Sequence, residues 1–188
     1  DNIPECMDVL TRLIESEKEN EIILHFDGDK VGLKHYYDLE RDVYRILKDI
    51  QSYPCLELNE EDINEGISQA EKEQGFELTD EQREVVKESL NDNVCVIAGK
   101  AGTGKSTISR ALLNIYKHAN YSISCCALSA KAAQRITEAT GFPASTIHRL
   151  LGVNPQKGFE HDHENPLTSD VILIDECSMI NSYVYHAI

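Results

Sequence analysis

The sequence predicts an α/β protein: a partial parallel sheet flanked by helices, preceded by a small, mostly helical α+β domain. Three observations predict it. An apolar, β-branched run at 94–98 breaks into a glycine-rich loop and then into a helical pattern. A second apolar run, 121–128, leads into another helix-spaced segment. A third, 169–176, holds Val171-Ile172-Leu173-Ile174 ahead of two carboxylates, the pattern of a strand buried on both faces with a charged tip. Strand, helix, strand, helix, strand is the order of right-handed crossovers in a parallel sheet.

At 188 residues the chain can bury one good core, or one core plus a small appendage. Its 41% hydrophobic and 27% charged content is that of a globular protein. No run approaches a membrane span and the acidic start does not read as a signal peptide, so the expected location is cytoplasmic, with no membrane partner. Six cysteines, at 6, 55, 95, 125, 126 and 177, form no C-x-x-C pair and no metal-ligand spacing with the histidines, and are expected as reduced core thiols. The formal net charge of −15 is unevenly placed: residues 1–93 carry 10 basic and 26 acidic side chains, residues 94–188 carry 8 and 7. An acidic first half therefore repels phosphate backbones, and the second half does not.

Taken in order, residues 4–18 place apolar groups at helical spacing, and 21–26 and 31–33 read as two strands joined by a turn with Gly28 at positive φ. From 34 to 50, Tyr36, Leu39, Val43, Ile46 and Leu47 recur on one helical face. Tyr36 and Tyr37 could stack on bases, but in so acidic a setting packing is the reading adopted. Pro54 ends that segment. Asn59 caps a helix over 60–74, with Gly75 at C′, and its carboxylates form a solvated face. Thr79 then caps a helix to about Leu90, with Gln82 three residues on completing a capping box. The expected domains are an acidic, helical N-terminal domain with a short β-hairpin over 1–76 and an α/β domain over 77–188.

After the loop, 106–118 is helical, 130–139 is a crossover helix stopped by Gly141, and Ser145-Thr146 caps a short helix over 147–151. Residues 153–167, with two prolines and no apolar period, read as a loop.

Gly99, four residues, then Gly104-Lys105-Ser106 satisfy G-x-x-x-x-G-K-[ST] between a strand pattern and a helix pattern. The chemistry explains the residues. Glycines let backbone N–H groups approach phosphate oxygens, the helix N-terminus adds partial positive charge, Lys105 reaches the β and γ phosphates, and Ser106 offers a hydroxyl to Mg²⁺. The expected cradle is Gly99, Ala101, Gly102, Thr103, Gly104, Lys105, Ser106 and Thr107. Parallel strands end on one edge of their sheet, which brings Asp175 and Glu176 toward Lys105. Asp175 would hold Mg²⁺ through water and Glu176 would orient and deprotonate the attacking water; the structural alternative is that the pair caps the turn at Ser178.

The strings 99–106, Leu128-Ser129-Ala130-Lys131-Ala132-Ala133, Ala144-Ser145-Thr146-Ile147-His148-Arg149-Leu150-Leu151 and Ile174-Asp175-Glu176-Cys177-Ser178-Met179 together resemble the RecD-like branch of superfamily 1B DNA helicases, the exodeoxyribonuclease V alpha-subunit and TraA relatives. The resemblance covers about half the chain and implies a RecA-like P-loop NTPase domain over 77–188. Leu78-Thr79-Asp80-Glu81-Gln82 looks like the family's Q motif, which implies that Gln82 reads the adenine edge. The segment 129–131 is similar to motif Ia, implying phosphate contacts to single-stranded DNA from Ser129 and Lys131; the usual Pro-Thr-Gly is here Leu128-Ser129-Ala130. Thr146 and His148 match a motif near the DNA track, where a cap hydroxyl and a packed imidazole account for them equally well.

Family members continue with a coupling motif, a second RecA-like domain and γ-phosphate-contacting arginines, none of which lies before Ile188. The expectation is therefore a helicase motor fragment, truncated on its C-terminal side. It would use ATP and Mg²⁺, with 5′ to 3′ movement on single-stranded DNA implied by the resemblance, and turn over very slowly alone. Two other readings stay open: a P-loop ATPase acting on a protein partner, and an acidic first half that docks a basic protein.

Overall fold

The computed structural model describes residues 11–12, 24–27, 30–100, 102–154, 158–162 and 165–188. The chain divides into two compact units, Asp1–Ile46 and Leu47–Ile188.

In the first unit, β1 (Leu24–Asp27) and β2 (Lys30–Leu33) pair antiparallel with Asp27 opposite Lys30. Helix α1 (Lys34–Ser52) begins directly after β2. Lys34 and Asp38, one turn apart, form an ion pair at 3.0 Å. Leu39 and Val43 are half-buried, whereas Tyr36 and Ile46 of the same predicted stripe are exposed. Most of the predicted helix over 4–18, and the turn at Gly28, lie outside the described residues.

The second unit starts from two capped helices. Helix α2 (Glu60–Gln74) opens on an Asn59 capping box with Asp62 and closes on Gly75 at φ 81°. Helix α3 (Asp80–Ser89) opens on the Thr79–Gln82 box. Helix α4 (Lys105–His118) carries the apolar positions Ile108, Ala111, Leu112 and Ile115 into a core shared with Ile67, Ala70, Leu78 and Val86. Helix α2 lies antiparallel on α4, because Asp62 meets His118 at 3.0 Å while Asn114 donates to Glu73 at 3.3 Å. Gly66 permits this approach: a Cβ there would lie 2.5 Å from backbone atoms of Ile115. The acidic helix is thereby part of the core around α4.

The sheet has three parallel strands in the order β4 (Ala144–Thr146), β3 (Ile123–Ala127), β7 (Val171–Asp175). Helix α5 (Ala130–Thr140) crosses from β3 to β4 and ends on Gly141 at φ 79°. Successive residues of β3 point to opposite faces. Cys125 joins Leu113, Ala133 and Ile136 on one side, and Cys126 joins Ile147, Leu151 and Val184 on the other. That second layer comes from α6 (Ile147–Leu150) and α7 (Ser182–Ala187), which follows a 3₁₀ turn at Cys177–Met179.

Four expectations are corrected. The run 94–98 is not a strand; Val96 is 73% exposed, while Ile97 packs on the α2–α4 core. An extended segment becomes a strand only when its backbone bonds to a neighbour, and among the described residues 94–98 pairs with no strand of the sheet. Strand β7 is half-buried rather than buried, because among the described residues it pairs on one side only. Residues 144–146, expected only as a helix cap, also form β4. The expected loop over 153–167 contains a short antiparallel pair, β5 (Val153–Asn154) and β6 (Gly158–Phe159). Among the described residues no helix is long and apolar enough to cross a membrane.

Candidate functional site

The register of the sheet builds one edge of the site. Ala127 stands opposite Thr146 on one side and Asp175 on the other, so three strands end in a single row. Three features emerge from that row: the start of α5 at Ser129, the start of α6 at Thr146, and the acid pair Asp175-Glu176.

Connectivity carries α4 to the same edge. Its last residue, His118, is separated from β3 by four residues, so its C-terminal end is at the strand starts, and Leu113 packs midway along the sheet with Cys125, Ala127, Ala133 and Ile136. Helices α4 and α5 run side by side in one direction: the Lys117 ammonium lies 5.5 Å from the Phe142 ring just past the end of α5. The opposite ends of both helices, led by Lys105 and Ala130, therefore face the side on which the strands finish.

The loop preceding α4 is shaped by two glycines in the left-handed region, Gly102 at φ 82° and Gly104 at φ 88°. Gly104 is the N-cap of α4 and provides no side-chain hydrogen bond, leaving the first-turn amides of a 14-residue helix uncapped. Those amides and the helix dipole suit an anion. Thr103 Oγ1 donates to Lys100 O at 2.9 Å. The Lys105 ammonium turns back under the loop and donates to Gly99 O at 2.7 Å and Lys100 O at 3.0 Å. Gly99 is confined by this wrap, since a Cβ there would sit 2.6 Å from Thr103 Oγ1. Ser106 is exposed and Thr107 half-buried, while Ala101 lies outside the described residues.

Gln82 is brought to this loop. Its Oε1 accepts from Thr79 N at 3.1 Å, completing the capping box, and its Nε2 occupies the space a Gly104 side chain would need. One carboxamide joins the start of α3 to the start of α4.

Asp175 and Glu176 are both exposed. Asp175 Oδ1 accepts from Glu176 N at 2.9 Å, and Glu176 adopts a left-handed backbone, φ 54°, ψ 39°, which an L-residue disfavours. Among the described residues no hydrogen bond or ion pair joins either carboxylate to Lys105. The cation within ion-pair distance of Glu176 is Arg135, at 4.0 Å.

The remaining predicted residues have local structural roles. Ser129 Oγ caps α5 by accepting from Ala132 N at 3.1 Å, and Thr146 Oγ1 caps α6 by accepting from Arg149 N at 3.3 Å. The His148 ring is exposed and tilts against Phe159 at 6.2 Å. Lys131 is exposed and forms no ion pair among the described residues. Sequence reasoning passed over Arg135. Its signal was spacing, one helical turn after Lys131.

Comparison with known proteins sets this geometry in a family. Residues 82–188, more than half the chain, match the AAA domain family. The chain belongs to that family. The chain is also similar to curated relatives of the RecD type. It is 41% identical over 103 residues to the ATP-dependent RecD2 DNA helicase of Deinococcus radiodurans, covering 55% of this chain and 14% of that protein. It is 36% identical over 132 residues to the RecBCD enzyme subunit RecD of Mycolicibacterium smegmatis, covering 57% and 23%. It is 30% identical over 179 residues to the RecBCD enzyme subunit RecD of Haemophilus influenzae, covering 80% and 28%. The chain thus spans about a seventh to about a quarter of the lengths of these relatives. The AAA match begins at Gln82, the residue that touches the loop.

Proposed function

We propose that this chain is the nucleotide-binding part of the first motor domain of an ATP-dependent DNA helicase, moving 5′ to 3′ on single-stranded DNA. The observation that carries the reading is the uncapped N-terminus of α4, reached through left-handed Gly102 and Gly104 and abutted by Gln82, in a chain whose relatives are named RecD helicases.

In this reading the amides at 102–107 receive the phosphate oxygens, and the Lys105 ammonium exchanges its loop carbonyls for the β and γ phosphates. Gln82 directs its amide nitrogen at the base, its oxygen being committed to Thr79. Ser106 and Asp175 are exposed oxygen donors of the kind Mg²⁺ prefers and would hold it, the ion supplying neutralisation of phosphate charge. Glu176 accepts the proton of the water that attacks the γ phosphorus, and the bond to the departing nucleoside diphosphate breaks. Ser129, Lys131, Thr146 and His148 at the strand-end edge form the track for single-stranded DNA. The working site of the protein is cytoplasmic, as for a DNA-processing enzyme.

The test is hydrolysis and strand binding by the full-length protein. Glu176→Gln is expected to keep nucleotide affinity and stall turnover, because an amide cannot take the proton. Single-strand affinity is expected to fall steeply with salt. Unchanged turnover in Glu176→Gln would remove the base assignment.

One observation favours a second reading. Residues 1–93 hold 26 of the 33 acidic side chains, and Glu60, Glu61, Glu65 and Glu73 of α2 are exposed, so this half is suited to dock a basic protein. A motor acting on a protein rather than DNA would show no salt-dependent single-strand binding.

A further inference from the structure

We propose that Arg135 is a positioning residue for Glu176: it holds the carboxylate toward α5 until a phosphate of single-stranded nucleic acid, bound at the start of α5, draws the guanidinium away. The inference rests on the function proposed above and adds the link by which strand binding reaches the hydrolytic base.

Three observations carry it. First, Glu176 is fixed by its backbone in a left-handed conformation directly after β7, with its amide donating to Asp175, so the direction of its side chain is set by few groups. Second, the cation beside its carboxylate is Arg135 rather than Lys105. The Arg135–Glu176 separation is 4.0 Å, and both side chains are open to solvent, 63% and 42% exposed. An exposed pair of this length is weak and exchangeable. Third, Arg135 is four residues beyond Lys131, so the two cations lie on one face of α5, a single turn apart. A phosphodiester arriving at Lys131 comes within reach of Arg135, and a guanidinium donates to phosphate oxygens in preference to a distant, solvated carboxylate.

The chemistry follows from the exchange. While paired, Glu176 is drawn toward α5 and away from the water it would act on. When Arg135 turns to the nucleic-acid backbone, Glu176 is released to act on water. Strand binding thereby raises turnover through a side chain that touches neither nucleotide nor the reacting atoms.

The experiment measures ATP hydrolysis by the full-length protein with and without an oligothymidylate, comparing the native protein, Arg135→Ala and Arg135→Lys. Arg135 is exposed and caps nothing, so the variants keep the fold, which circular dichroism checks. Arg135→Ala is expected to raise DNA-free kcat by about two- to fivefold, the range an exposed ion pair supplies, with KM for ATP unchanged. The stimulation by oligothymidylate is expected to shrink by the same ratio, and Arg135→Lys to fall between. Equal basal rates and equal stimulation in Arg135→Ala and the native protein would overturn the inference and leave the helicase reading intact. A uniform loss with and without DNA would overturn it as well, marking Arg135 as structural. If the native protein is not stimulated by single strands at all, the helicase reading falls and takes this link with it.

Discussion

Gln82 Nε2 lies against Gly104, in the space a Cβ on that glycine would fill, while Gln82 Oε1 accepts from Thr79 N at 3.1 Å. A capping residue of one helix is thereby the wall of the loop that starts another. Gly104 is doubly constrained, by φ 88° and by this contact. Gly104→Ala is expected to lower stability by about 1–2 kcal/mol from the left-handed backbone alone, measured by urea unfolding. It should also displace Gln82 and weaken nucleotide binding; a variant as stable as the native chain would show that the loop does not hold this conformation.

The contact of α2 with α4 yields a second test. A methyl group at Gly66 would lie 2.5 Å from Ile115 N and Cα, backbone atoms that cannot rotate away. Gly66→Ala should therefore force the helices apart and cost about 1–3 kcal/mol, despite the better helix propensity of alanine. A rise in melting temperature would mean that α2 does not pack there.

What the sequence disclosed and what it hid follow a physical division. Local codes were legible: Asn59, Thr79 and Thr146 each cap the helix expected of them, and Gly75 and Gly141 end theirs in the left-handed region, whereas the cap at Ser129 was not foreseen. Topology was legible in part, since β3 and β7 pair in parallel and Asp175 stands level with Ala127. Pairing of 94–98 was not, because apolar, β-branched composition says nothing of which strand stands beside it. The same limit concealed β4, whose three residues pair only because β3 passes by. At the candidate site, the glycines could be named from spacing and Gln82 only from the resemblance, and the Arg135–Glu176 approach joins two elements distant in sequence and leaves no periodic trace.

Acid should unfold the second unit through identifiable carboxylates. The His118 ring, together with Asn59 N–H, holds Asp62 below the ordinary aspartate range, and Ser122 does the same for Asp170 through its hydroxyl and its N–H. A depressed folded-state pKa gives stability that is complete above the unfolded value, near 4, and is lost as pH falls through the folded value. Asp62→Asn and Asp170→Asn are expected to flatten the acid limb of melting temperature against pH below about 4. An unaltered limb in both variants would place the acid sensitivity elsewhere.

Thiol chemistry should separate surface from core. Burial raises Cys125 to about 11 and Cys126, next to Cys125, to about 12, whereas Cys55 and Cys95 are exposed. Iodoacetamide at pH 8 is expected to label Cys55 and Cys95 in the native chain and to reach Cys125 and Cys126 only in denaturant, read by peptide mass spectrometry. Early labelling of Cys126 would mean that the two sides of the sheet are not closed.

The most direct measurement is calorimetric titration of Mg²⁺·ATP into this chain and into Lys105→Ala. If the ammonium now bonded to Gly99 O and Lys100 O serves the β and γ phosphates, removing it should weaken binding about ten- to hundredfold, the worth of one charge-assisted hydrogen bond. Equal affinity in the two proteins would contradict a phosphate-binding role for the loop at 99–107.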